Sequence, residues 1–242
     1  MSGVLVGSGF GSAPPFVSQF KNAVLALHPT RYYRLGSAGA NTSEPDLGSD
    51  NQPGTWSATG ASQARGMVIG DATPCALLDG VAGRMSMPTT NLPTGAGAFS
   101  VGMVLQILKT AATLEMAYML GTSGVNGQFH DWDWGTAAFE WSDGTSTIAS
   151  NFTAGIISAL QRPTLLIATY DGTTVTAYHN IFPYGTLVAA LNTTYGGAAI
   201  GSDTAGTPAR FAKCLVQDWF LVKGSALTLA QVVALNQAFR GN

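Results

Sequence analysis

Along most of this chain apolar and polar residues alternate every second position, the period of strands with one buried face. Residues 98–108 show it best, with Phe99, Val101, Met103, Leu105 and Ile107 on one side of the alternation. Shorter β-rich runs precede it at 31–35, 54–58, 75–80 and 85–87, and others follow at 114–120, 129–134, 136–141 and 147–152. The sharpest hairpin joins 165–170 to 173–179 through Asp171-Gly172. Asp and Gly tolerate the positive φ angles that a two-residue turn requires. Residues 211–222 read as one long strand containing Asp218. The period then changes, as Leu229, Val232, Val233 and Phe239 recur near one helical face behind Thr228, a good N-cap. About ten to fourteen strands and one short helix are therefore expected.

Residues 1–19 are rich in Gly, Ser and Pro, with Pro14-Pro15 near their middle, and predict an extended arm. Such an arm is either a loose terminus or a segment that orders against a neighbour. The apolar stretch 20–27 leads into the first strand, and residues 36–66 are loop-like around the short run at 54–58. No linker composition and no repeat period interrupts the remainder. Residues 20–242 are read as a single all-β domain, a sandwich of antiparallel sheets.

Composition narrows the function classes. Of the 242 residues 10% are charged, against about 25% in an ordinary soluble domain. Lys+Arg 11 and Asp+Glu 13 give a formal net charge of -2. No basic stripe is available for nucleic acid or an anionic membrane surface. No apolar run reaches the roughly 18 residues of a membrane-spanning helix, so no membrane insertion is expected. The first residues lack the basic and long apolar regions of a secretory signal, which predicts a chain made in a cytoplasm or already mature. Cys75 and Cys214 sit far apart in apolar runs without CxxC spacing, so two buried thiols or one long-range disulfide are both open.

The chain contains no GxxxxGK[ST] loop, no HExxH and no GxSxG turn. Its densest chemistry is His130-Asp131-Trp132-Asp133-Trp134, followed by Glu140-Trp141. Asp131 and Asp133 share a strand face about 7 Å apart. That lies within the roughly 5–10 Å that glycoside hydrolysis asks of two carboxyl groups. A solvated strand face explains the same two acids without chemistry. Trp132, Trp134 and Trp141, with His130 and the acids, would instead form a platform on which sugar rings stack. Trp132 and Trp134, same-face neighbours, also suit a core or an interface. Three glycosylation patterns, at Asn41, Asn151 and Asn192, are unsurprising in a Ser/Thr-rich chain.

The order of these pieces resembles the concanavalin A-like jelly roll, in its laminin G-like branch. The matching segments are Leu27-His28-Pro29 with Tyr32-Tyr33-Arg34-Leu35-Gly36, the Asp46–Asn51 loop with Gly54-Thr55, and Leu77-Leu78-Asp79-Gly80. Gly97-Ala98-Phe99-Ser100-Val101, Ala168 to Val175, and Gln217 to Val222 with Ala226 to Gln231 continue the match to about residue 239. Three positions depart from the pattern. Val104 stands where relatives often carry a Trp of the concave sheet, Ile181 follows Asn180 where Gly is usual, and the Glu-x-Asp-x-Glu-like run that catalytic members carry on one strand face does not occur.

The resemblance implies a two-sheet antiparallel jelly-roll sandwich with an extended N-terminal arm and a short C-terminal helix. It also implies that Asp46, with Asp50 or Asp218, is the candidate set for a structural calcium; no other cofactor is expected. Joined to the scarce charge and the missing catalytic set, it points first to a non-enzymatic virion protein, a phage capsid decoration or tail component. Its partners would be copies of itself or a capsid or tail protein, because a charge-poor surface suits burial against neighbours. The alternative is a lectin-like carbohydrate-binding module, extracellular or displayed on a virion and holding a cell-surface glycan through His130, Asp131, Trp132, Asp133, Trp134 and Trp141. A polysaccharide-cleaving enzyme comes last.

Overall fold

A computed structural model of the chain describes residues 18–108, 115–121, 130–133, 138–142, 147–151, 161–188, 191, 196–204 and 208–242. Two antiparallel sheets face each other across an apolar core, the sandwich that the alternation predicts. The described residues open with helix α1 (Gln19–Leu25), then β1 (Arg31–Tyr33), β2 (Ser43–Glu44), β3 (Gly54–Trp56), β4 (Ala61–Ala64), β5 (Cys75–Leu78) and β6 (Met85–Ser86). There follow β7 (Phe99–Ile107), β8 (Met116–Leu120), β9 (His130–Asp133), β10 (Ala138–Ser142), β11 (Thr147–Asn151), β12 (Thr164–Tyr170), β13 (Thr174–His179) and β14 (Phe182–Val188). The last elements are β15 (Ala198–Ile200), β16 (Cys214–Lys223) and helix α2 (Leu229–Arg240). Sheet A runs β14-β13-β12-β7-β16-β5-β4, with β1 also beside β16, and sheet B runs β11-β10-β9-β8-β15-β6-β3-β2.

The central strands of sheet A, β7, β12 and β16, are buried on both faces. Phe99, Val101, Met103, Leu105 and Ile107 of β7 enter the core between the sheets, as their spacing predicts. Val104 of β7, Leu165 and Ile167 of β12, and Phe220 and Val222 of β16 point the other way. They meet Phe20 and Val24 of α1 and Val232, Leu235 and Phe239 of α2 in a second apolar layer. Phe20 and Phe239 lock the two helices edge to face, with ring centroids 6.2 Å apart. Both helices are capped by their own sequence. The Ser18 hydroxyl accepts from the Lys21 amide, and Thr228 and Gln231 form a reciprocal capping box before Gly241 closes α2 at φ 75°.

Gly102 has a steric task in this double burial. A Cβ built there would lie 2.1 Å from Cζ of Phe220, so the ring lies flat over the β7 backbone. Gly102→Val is expected to destabilise the fold by about 1–3 kcal/mol or more, as overpacking does. Urea unfolding measures it, and Phe220→Ala in the same chain should return part of the loss.

One irregularity organises the outer layer. The β7–β16 register shifts between Val216 and Asp218, leaving Gln217 as an extra residue. Val216 and Trp219 consequently both reach the inter-sheet core, while Asp218 turns to the helix side, against Tyr32.

Several expectations need correction. Residues 19–25 form a helix where only an apolar stretch was expected, which places Ser18 and Gln19 inside the fold instead of in the arm; residues 1–17 lie outside the described residues. The loop-like segment 36–66 contains β2 and β4 as well as the anticipated β3. Neither β14 nor β15 was anticipated, and the described strands number sixteen. Pro183 and Gly185 break the pattern of β14, which a sheet edge tolerates. Cys75 and Cys214 are buried free thiols, and burial pushes the Cys75 thiol up to about 11.

Candidate functional site

The candidate glycan-binding residues fall on β9 and β10, the third and second strands from one end of sheet B. Trp134 lies outside the described residues. In the ladder His130 pairs with Trp141, Asp131 with Glu140, and Trp132 with Phe139. Strand alternation therefore sorts these positions into two sets, His130, Trp132, Phe139 and Trp141 in one, and Asp131, Asp133 and Glu140 in the other. The ladder to β8 relates the sets to the core. His130 pairs with Leu120, a residue of the inter-sheet core, and Asp131 pairs with Met119. The aromatic positions thus continue the register of the core face, and the acidic positions continue the opposite one.

The candidate calcium residues are not gathered at one point. Asp46 accepts from the backbone amides of Tyr32, Gly48 and Gln52, at 2.8, 2.8 and 2.9 Å, and staples the 46–52 loop to β1. Asp50 faces Arg31, whose Nε is 3.3 Å away, and Asn91. Asp218 lies under the helices, accepting from the Tyr32 hydroxyl at 2.7 Å. Among the described residues no group of three or more His, Cys, Asp or Glu is placed to share a metal ion.

Two arginines that the sequence analysis passed over do more. Arg31 is 0% exposed, and its guanidinium donates to the carbonyls of Pro88 and Thr90 as well as to Asp50. Arg34 donates to Asp71 and brings Nε within 3.3 Å of Asp218 Oδ1, a charge contact without hydrogen-bond alignment. The signal was available. In a chain with 11 basic residues, two arginines flanking a buried Tyr-Tyr pair must each have found a partner.

This buried cluster sets the electrostatics of the helix layer. Burial, offset in part by Arg34 and the Tyr32 hydroxyl, pushes the Asp218 carboxyl up to about 7. Burial and the neighbouring Asp218 raise the Tyr32 hydroxyl. Burial also works upward on Asp71, but hydrogen bonds from Ser18 and Thr73 and the Arg34 charge carry it below its ordinary value.

Beside the cluster the surface opens into a groove of about 810 Å³ along residues 64–72, closed on its far side by Gln106, Pro163 and Leu215. Its loop wall is pinned by the buried Gln217 carboxamide, which accepts from the amides of Met67 and Val68. Sheet A offers no open platform at Val104, because that residue is fully buried in the helix layer. Asn180, where the family pattern departs, takes φ 58° in the turn between β13 and β14, and its side chain and backbone both bond Leu165.

No family model matches the sequence, and no curated protein sequence matches it significantly. Solved structures do resemble the fold. Domain 4 of the extracellular arabinanase AbnA from Geobacillus stearothermophilus, in complex with arabinotriose, aligns with a TM-score of 0.62 at 17% identity, over 86% of this chain and 98% of that one. The ligand binding domain of Botulinum neurotoxin serotype D, in complex with N-acetylneuraminic acid, aligns with a TM-score of 0.64 at 10% identity, over 91% of this chain. A mutant Trypanosoma rangeli sialidase aligns with a TM-score of 0.59 at 14% identity, over 90% of this chain. The chain spans 56% of the neurotoxin structure and 34% of the sialidase. At such identities the likeness establishes the β-sandwich fold and leaves function to be argued from the chain itself.

Proposed function

We propose that this chain is a non-enzymatic, carbohydrate-binding β-sandwich module. One observation carries the reading. Its fold is matched over 98% of the length of an arabinanase domain that was solved in complex with arabinotriose, a unit of the same extent and architecture. The neurotoxin domain in complex with N-acetylneuraminic acid supports the same class of ligand. The binding surface we assign is the face of the β9–β10 ladder that carries His130, Trp132 and Trp141, whose aromatic rings stack on sugar, with Asp131 and Asp133 on the opposite face. Trp134 extends the set in sequence.

A glycan array followed by titration calorimetry tests this. Trp132→Ala or Trp141→Ala should weaken binding of the selected oligosaccharide about tenfold, the effect of losing roughly 1.4 kcal/mol of contact. Asp131→Asn should leave any released sugar undetected, as in the parent. A chain that binds no glycan on the array leaves the proposal without support, and turnover abolished by Asp131→Asn would replace it with an enzyme.

The virion reading, in which the chain is a capsid or tail component bound to copies of itself, draws support from the 10% charge content. Sedimentation of the full chain bears on it, because a strictly monomeric protein at high concentration argues against self-assembly.

A further inference from the structure

Between α1 and the loops that follow β1 and precede β5 lie two adjoining clefts of about 290 and 420 Å³. They share Lys21, Arg34 and Thr73. Ser37 adds a hydroxyl-bearing residue to the smaller cleft, and Leu47 and Pro74 give it an apolar flank. No residue of β9 or β10 lines either one.

The charges around these clefts are sorted by direction. Asp71 and Glu44, the two acids of the lining, are turned inward and occupied. The Asp71 side chain is 3% exposed, with one oxygen on Arg34 and the other accepting from the Thr73 amide at 2.9 Å. Glu44 is 2% exposed and accepts from the Ser37 amide at 2.9 Å and from the Trp56 indole at 3.1 Å. Asp218 lies deeper still, fully buried and bonded to Tyr32. The cations are placed the other way. Arg34 gives Nη2 to Asp71 and sets Nε beside Asp218, while Nη1 bonds no described residue and is open to solvent. Lys21 is half-buried, and its ammonium pairs with no carboxylate among the described residues. Because Asp71 answers the Arg34 charge, the net attraction at the mouth comes from Lys21. Arg34, held on two sides by acids, contributes a directed donor that is already in place.

We propose that this double cleft binds a small oxyanion, the carboxylate or phosphate group of a low-molecular-weight ligand, between Lys21 and Arg34 Nη1. Either group has the acceptor oxygens to take one N–H from the fixed guanidinium and one from the ammonium, and such charge-assisted bonds are roughly twice as strong as neutral ones. Ser37, on the same lining, brings a hydroxyl to donate to a further oxygen. A neutral ligand would leave Lys21 unanswered. The net charge of -2 on the chain supplies no long-range pull on an anion, so affinity rests on the cleft itself and falls with added salt. The site is separate from the carbohydrate surface, and either stands without the other.

Amide NMR of the full chain, titrated with inorganic phosphate, with acetate and with sodium chloride at matched ionic strength, tests it. Phosphate, acetate or both should give saturable shifts centred on the Lys21, Ser37 and Thr73 amides, and chloride should not. Which of the two saturates identifies the group that the cleft accepts. Lys21→Gln removes a charge that has no ion pair to lose, so its urea midpoint should stay at that of the wild type while the saturating anion binds about fivefold or more weakly. Shifts that follow ionic strength alike for all three salts would overturn the proposal, as would an anion affinity that Lys21→Gln leaves unchanged.

Discussion

Arg31→Ala is expected to cost the fold about 3–5 kcal/mol, the range seen when one partner of a buried ionic network is removed. The guanidinium is fully enclosed and ties three loops to β1, through Asp50 and through the carbonyls of Pro88 and Thr90. Removing it leaves a cavity, two part-buried carbonyls without their donor and a carboxylate that is 10% exposed. The backbone offers no relief, since a Cβ on Gly48 would come within 2.5 Å of the Arg31 Cα, which shows how tightly the 46–52 loop is laid over the strand. Arg31→Lys should recover little, because a single ammonium cannot reach two carbonyls and a carboxylate in the planar fork that arginine provides. Urea denaturation of the three proteins decides it. Equal midpoints for the wild type and Arg31→Ala would show the network to be energetically idle.

Asp218 should give the protein an acid-side gain in stability. Its carboxyl is pushed up to about 7 by burial, against an ordinary value of 3.8. Between those pH values the native state holds a proton that the unfolded chain has released. The contribution of this group is therefore complete below about pH 4 and is lost as pH rises to about 7, in total on the order of 4 kcal/mol. Other groups titrate alongside. Glu44, raised by burial, acts in the same sense, whereas Asp71 and His179, both lowered, favour the fold at higher pH. The comparison with Asp218→Asn removes them. The amide keeps an oxygen for the Tyr32 hydroxyl and cannot ionise, so the variant should gain on the wild type steadily from pH 4 to pH 8. Stability curves that run parallel across that interval would sink the prediction.

Much of the sandwich was legible because its inter-sheet face is regular. The odd-numbered apolar residues of β7, the β12–β13 hairpin and the Thr228 cap each rest on a local pattern that tertiary packing did not override, although the hairpin turns one residue later than expected, on Gly172-Thr173, with Asp171 paired to Thr174. What escaped notice depended on partners distant in sequence. Helix α1 has two turns and buries only Phe20 and Val24 of its own residues, so its pattern is too short to register without α2 against it. The candidate site was legible as a cluster of residue types but not as a surface. Alternation alone puts Asp131 and Asp133 on one side and His130 and Trp132 on the other, but which side continues the core face follows only from pairing with β8. Asp218 illustrates the same limit. As one acid in a long apolar strand it looked like a possible ligand by family resemblance, and the Tyr32 and Arg34 partners that occupy it lie some 180 residues away.

The extra residue in β16 makes the strand two half-strands of opposite phase, joined at Gln217. Deleting Gln217 would leave Val216 opposite Leu105 and Asp218 opposite Val104 as they now stand, so the two halves would close into one regular strand with Trp219 and Leu221 still on the core face. What the deletion would remove is the carboxamide that holds the amides of Met67 and Val68. The odd residue thus serves the loop packed beside the sheet, and the alternation of β16 does not depend on it.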